Sequence, residues 1–236
     1  MDFDFPGVVE EAIFRKRINR FVAIIEHNKE LKKAHVLSTG RMKELLVPGA
    51  GVYVSYVGKE GRKTSYDLIA VVHKGILVSI DSTLPNRLLA KLLEGKKIKE
   101  FSSFTNVDAE VAWGKSRLDF YLSNEEEELY LEVKSVTLVE DGLALFPDAP
   151  SERAIKHLQE LMEIKQRGKR AAVLFLVQRS DALIFSPNWK TAPDFASTLK
   201  QAEQAGVEIY AYSCQVNKEG VSLDRSIPVS IKSVYA

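Results

Sequence analysis

The sequence predicts a mixed α/β protein, with a small N-terminal β-barrel followed by an α/β domain on a mixed central sheet. Three observations lead there. Short strand-like runs punctuated by glycine fill the first third of the chain, with no long helix among them. Strands and helices then alternate through the remaining two thirds. A chain of 236 residues that is 45% hydrophobic can bury either one large core or two modest ones.

In chain order, strands are expected at Phe14 to Glu26, Val52 to Val57, Tyr66 to Val72 and Ile76 to Ile80, with Gly49, Gly51, Gly58, Gly61 and Gly75 at turns. Five short strands without a long helix are compatible with a barrel of the oligonucleotide-binding (OB) type, although a purely structural barrel would read the same way. Alternation along Phe14 to Phe21 puts Arg15 and Arg17 on one face and Lys16 and Arg20 on the other. Such a strand offers contacts to phosphates without reading bases.

Pro85 opens a helix whose Leu88, Leu89, Leu92 and Leu93 share a face, with Gly95 as its stop. The domain boundary is placed just before it, dividing the chain into 1–83 and 84–236. Strands follow at Ala109 to Trp113, Arg117 to Leu122 and Leu129 to Val136, then a helix from Ser151 to Arg167. The apolar run Ala171 to Val177 reads as a strand buried on both faces. A helix from Pro193 to Ala205 and a strand from Val207 to Tyr212 complete the pattern.

The net charge of +1 hides an asymmetry. Residues 14 to 83 carry 13 Lys or Arg against six Asp or Glu, whereas residues 84 to 236 carry 20 against 22. The early basic excess suits a polyanion-facing surface, or simply solubility. No apolar run is long enough to span a bilayer and the acidic opening lacks the charged start of a secretory signal, so a cytoplasmic protein is expected. Cys214 is the only cysteine, which rules out an internal disulfide and a cysteine-based zinc cage.

The informative stretch runs from Ser116-Arg117-Leu118-Asp119-Phe120 to Leu131-Glu132-Val133-Lys134-Ser135, joined by a polar turn with four consecutive glutamates. It reads as a hairpin. The period of two puts Glu132 and Lys134 on one face of the second strand, and simple register brings Asp119 to the same end. Two carboxylates and an ammonium suit phosphodiester hydrolysis. Asp119, Glu132 and the Val133 carbonyl would hold Mg²⁺ or Mn²⁺, and Lys134 would orient the attacking water or offset charge on the phosphate. A Glu-x-Lys pair alone more often marks a solvated face. On the following helix Arg153, His157 and Glu160 share a side, which either reaches a phosphate or faces solvent.

These segments resemble the sugar fermentation stimulation protein A family. The resemblance rests on Ser116 to Phe120, on Glu132-Val133-Lys134-Ser135-Val136-Thr137-Leu138, on Phe146-Pro147-Asp148-Ala149, and on Arg153 with Lys156-His157-Leu158. It extends to Phe14 to Phe21, Thr39-Gly40, Leu46-Val47-Pro48-Gly49, and Asp81 with Leu84-Pro85-Asn86-Arg87. It implies an OB-type barrel, a second domain similar to PD-(D/E)XK nucleases, and DNA as partner, without strong sequence specificity. Asp119, Glu132 and Lys134 match that nuclease signature in order. Leu118 stands where the signature has proline, and Val36-Leu37-Ser38 where the family more often has Cys-Pro-Asn.

The expected function is therefore a DNA-binding protein with a Mg²⁺-dependent nuclease site, contacted by Arg15, Lys16, Arg17, Arg20, Arg117, Arg153 and His157. The alternatives are a catalytically silent DNA-binding regulator linked to sugar catabolism, and an interaction module whose charged hairpin is only surface. Homo-oligomerisation stays open. Gly114-Lys115-Ser116 is not a phosphate loop, because position 109 is Ala109 rather than glycine. The four histidines show no metal-ligand spacing, and no nucleophilic Ser or Cys motif is present.

Overall fold

The chain opens on a two-residue strand, β1 (Phe3–Asp4), and continues into β2 (Val8–Asn19), β3 (Val22–His27), β4 (Glu30–Val36), β5 (Gly51–Tyr56), β6 (Tyr66–His73) and β7 (Ile76–Ser79). This computed structural model describes residues 1–58, 63–114 and 116–232. Gly61, expected at a turn, and Lys115 of the rejected phosphate-loop motif lie outside the described residues.

β2 pairs with β3 and β5, β3 with β4, and β5 with β6, while β4 meets β6 in parallel and closes the ring. Phe14, Ala23, Ile25, Val36, Val52, Val54 and Leu68 fill its interior. Closure leaves these strands no open edge, which is how a small antiparallel barrel avoids pairing with other chains. β7 then extends β6.

The segment Phe14 to Glu26 is a hairpin, not one strand. Asn19 Oδ1 accepts from the N–H groups of Phe21 (2.9 Å) and Val22 (3.0 Å), a local bond that Asn offers a turning backbone. The ladder between β2 and β3 also shifts register between Phe14 and Lys16 and again between Arg17 and Asn19. Each shift breaks strict alternation. Arg15 and Lys16 are therefore both exposed, Arg17 is half-buried, and Arg20 stands in the turn. The guanidinium of Arg17 reaches the carbonyls of Ser38 (2.7 Å), Gly40 (2.7 Å), Arg41 (3.2 Å) and Arg20 (2.7 Å), tying strand to loop.

Beyond the barrel come α1 (Leu84–Glu94), β8 (Asn106–Trp113), β9 (Ser116–Ser123), β10 (Glu128–Val136), β11 (Val139–Glu140), β12 (Leu143–Phe146) and α2 (Glu152–Gln166). The chain continues through β13 (Arg170–Val177), β14 (Ile184–Pro187), α3 (Pro193–Gln204), β15 (Glu208–Val216) and β16 (Gly220–Ser226). Seven strands form one mixed sheet in the order β1-β16-β15-β13-β10-β9-β8. Its centre, β10-β13-β15, is parallel and its flanks are antiparallel. Residues Ala171 to Val177 of β13 are buried throughout, as a strand covered on both faces requires. Leu88, Leu89 and Leu92 of α1 pack with Leu131 and Leu174 on one face. Leu158, Leu161, Phe195 and Leu199 of α2 and α3 pack with Val173 and Phe175 on the other.

The first residues do not join the barrel. β1 pairs antiparallel with β16 at the edge of the mixed sheet, where a side chain at Gly220 would collide with the Phe3 carbonyl. Glycine permits that close backbone approach. A second link runs the other way, since Asp148 Oδ2 accepts from the N–H groups of Arg41 (2.7 Å) and Met42 (3.3 Å) in the loop after β4. Among the described residues no helix is long and apolar enough to cross a membrane.

Candidate functional site

β9 and β10 form the expected hairpin, paired from Glu128↔Ser123 to Leu131↔Phe120. Leu129, Leu131 and Val133 turn toward α1, whereas Tyr130 and Val136 turn toward α2 and α3. Glu132 and Lys134 share the second parity, which directs them under α2. Past Phe120 the contact becomes side chain to main chain. Asp119 Oδ2 accepts from the Val133 N–H at 2.7 Å. The first turn of α1 supplies another bond, from Asn86 Nδ2 to Asp119 Oδ1 at 2.7 Å.

Glu132 is only 2% exposed. Its Oε1 accepts from Lys134 Nζ at 2.5 Å and also meets His157 Nδ1 from α2. Arg153, one helical turn before His157, donates from Nε to His157 Nε2 at 3.4 Å. Lys134 Nζ also lies 3.4 Å from His157 Nδ1, but its closer contact is Glu132 Oε1; the tautomer that satisfies the bonds to Arg153 and Glu132 carries its proton on Nδ1 and donates it to Glu132. Glu132 Oε2, by contrast, is buried with no hydrogen-bond partner. Leaving such an acceptor bare costs roughly 1–3 kcal/mol, so the position suits a cation or a donor from outside the chain.

The two carboxyl groups are pushed in opposite directions. Burial, reinforced by the neighbouring Glu132, raises Asp119 above the ordinary carboxylate range. Burial also acts to raise Glu132, but the bonds from His157 and Lys134 outweigh it and hold that group below its usual value. A bound cation would favour the ionised form of both.

Beside His157 lies a cleft of about 510 Å³ lined by Ser116, Arg117, Glu152, Arg153, Lys156 and His157. Arg117, Arg153 and His157 thus meet in one place, next to the carboxylates. Arg117 also pairs with Glu110 at 2.9 Å, both side chains being largely exposed. The helix side carrying His157 is not a solvated one: His157 and Glu160 are 4% and 8% exposed. Arg15, Lys16, Arg17 and Arg20 stand apart on the barrel, where Arg15 pairs with Glu26 at 2.5 Å. Val133 lies in the ladder opposite Leu174 and touches Asp119 through its N–H. Among the described residues no group of three or more His, Cys, Asp and Glu side chains is arranged to hold a metal ion.

Sequence reasoning gave no role to Asn86 or to the Asp81–Arg87 ion pair beside it. Asp81 Oδ1 accepts from the N–H (2.8 Å) and hydroxyl (2.7 Å) of Thr83, anchoring the start of α1 and so placing Asn86. The available signal was Asp81 with Leu84-Pro85-Asn86-Arg87, which lies far from Asp119 in sequence and has no periodic relation to it.

Residues 83–220 match the family model described as the sugar fermentation stimulation protein RE domain, and residues 16–80 match the SfsA N-terminal OB domain. A sugar fermentation stimulation protein homolog of Alkaliphilus metalliredigens is 50% identical over 92% of this chain and 94% of its own length. One from Moorella thermoacetica is 45% identical over 97% and 99%. The solved structure of Pyrococcus furiosus SfsA in complex with Ca²⁺ is 30% identical, covers 97% of this chain and 98% of its own, and superposes with a TM-score of 0.89. Both halves of the architecture, barrel and mixed sheet, are shared almost end to end, and the chain belongs to the sugar fermentation stimulation protein family.

Proposed function

We propose that this protein binds DNA through its barrel and the basic cleft beside α2, and that it hydrolyses phosphodiesters at Asp119, Glu132 and Lys134 with Mg²⁺ or Mn²⁺. The observation that carries this reading is the bare, buried Glu132 Oε2 in a cluster with Asp119 and Lys134. Two carboxylates whose charges raise each other's energy are a site that a divalent cation stabilises. Further support comes from the archaeal relative, whose structure is described as a complex with Ca²⁺, an ion that takes oxygen ligands.

Asp119 and Glu132 would hold the ion, with the Val133 carbonyl and water completing its shell, because magnesium keeps several waters and needs few protein ligands. When bound, it supplies a more acidic water and stabilises charge on the phosphate. The rest falls to the chain. Lys134, only 11% exposed, bonds to Glu132 and is placed to orient water or offset phosphate charge. Asn86 and the Val133 N–H hold Asp119 in place, and the cations of the cleft receive the DNA backbone.

A second reading, a catalytically silent DNA-binding regulator linked to sugar catabolism, is favoured by the small ligand set and by the occupation of Oε1 by Lys134 and His157. A cleavage assay separates the two. Single-stranded, duplex and branched DNA and RNA are incubated with Mg²⁺ or Mn²⁺, comparing the natural chain with Asp119→Ala and Lys134→Ala. Turnover reduced on the order of 100-fold or more in both variants supports the site. Unchanged turnover removes it. Metal and DNA binding without turnover favours the regulator.

A further inference from the structure

Glu132 is supported on one side only. Oε1 receives Lys134 and His157, and Oε2 receives nothing although both are buried. Buried carboxylate oxygens without a hydrogen-bond partner also occur at Glu10, Glu44 and Glu160, but that of Glu132 belongs to a cluster with a second buried carboxylate, Asp119, and with Lys134. The arrangement resembles the outer support of a metal ligand, in which a neighbouring group fixes the orientation of the ligand and leaves its other oxygen free.

We propose that His157, oriented by Arg153, is a positioning residue that saturates Glu132 Oε1 and thereby commits Oε2 to the cation. This rests on the metal-dependent reading above and adds to it the group that sets the ligand's geometry. Ser151 caps α2 by accepting from the Ala154 N–H at 3.2 Å, which fixes the helix start two residues before Arg153. Arg153 and His157 then lie one turn apart. His157 packs inward on Glu132 while Arg153 lines the cleft, bonded to the far ring nitrogen. That bond selects the tautomer with its proton on Nδ1. His157 thus bonds to the ligand Glu132, and its effect on the cation passes through that carboxylate.

The test measures Mn²⁺ affinity of the full chain by calorimetry and by the paramagnetic resonance signal of free Mn²⁺, with circular dichroism to confirm folding. Glu132→Gln should abolish binding. His157→Leu, which keeps bulk but removes the donor, should weaken it about 10–100-fold, the usual cost of losing a ligand's outer partner. His157→Asn restores an N–H donor close to the position of Nδ1 and should recover most of the loss. Arg153→Ala should weaken binding by a smaller factor, on the order of threefold, at an exposed position that folding tolerates.

Binding lost in Glu132→Gln but untouched in His157→Leu overturns the positioning role alone. Should His157→Leu not fold, Arg153→Ala decides, and natural affinity there overturns the proposal. No Mn²⁺ binding by the natural chain, or binding indifferent to Glu132→Gln, defeats the metal reading and this inference together.

Discussion

The barrel and the mixed sheet handle charge in opposite ways. On the barrel, Arg15 faces Glu26 and Lys32 faces Glu30 in pairs that water can also satisfy, and both terminal nitrogens of Arg17 end on main-chain carbonyls. In the sheet domain a nearly enclosed carboxylate has two cations or donors on one oxygen and none on the other. The strand richest in basic residues is thus partly structural, whereas the short Glu-x-Lys pair holds a bare, buried carboxylate oxygen next to a second carboxylate. A count of charges does not locate a site; a bare buried carboxylate clustered with a second carboxylate and a lysine points to one.

That contrast can be broken first at Arg17. Arg17→Ala, which strands four carbonyl contacts, should lower unfolding stability by about 2–3 kcal/mol, while Arg15→Ala should change it by less than about 0.5 kcal/mol. Urea midpoints measure both, and equal effects would mean that Arg17 is as solvated as Arg15.

A smaller effect of opposite sign is expected at Asp119. Its folded carboxyl is shifted upward, so its contribution to stability is full below the unfolded carboxylate range and is lost as pH rises through the higher folded value. Glu132 is shifted downward, and its contribution is present above the unfolded range and lost as pH falls through the lower folded value. Asp119→Asn should therefore stabilise the metal-free protein at neutral pH, by about 1 kcal/mol or roughly 2–4 °C. The gain should vanish toward acid pH. A melting temperature lowered at pH 7 would show that Asp119 is structural.

The gentlest test concerns the barrel surface. Replacing Lys16 and Arg20 by Ala should reduce the slope of log affinity for duplex DNA against log salt by about 2, one phosphate contact each. A slope that stays the same would move the DNA path off β2, leaving the cleft of Arg117, Arg153 and Lys156 as the principal contact surface.

Much of this was legible in the sequence. Period-two alternation put Glu132 and Lys134 on one face, the glycine stops bounded the helices, and the apolar run of β13 announced a doubly covered strand. β1, β11, β12, β14 and β16 were not legible, because strands of two to four residues carry no period, and Gly220–Ser226 is polar at an antiparallel flank. β4 was missed for a related reason, since Glu30, Lys32 and Lys33 interrupt its apolar positions. The faces assigned to Arg15, Lys16 and Arg17 failed because the register shifts in β2 are set by its pairing with β3. Asn86 and the inward turn of His157 required three-dimensional neighbours that no local pattern encodes.

The bare oxygen of Glu132 is proposed to bind a cation shared with Asp119. Anomalous diffraction from crystals of the natural chain soaked in Mn²⁺ tests it most directly. A single peak is expected about 2.0–2.3 Å from Glu132 Oε2 and from one oxygen of Asp119, lost in Glu132→Gln. Manganese bound elsewhere, or a peak that persists at the same place in Glu132→Gln, would contradict it.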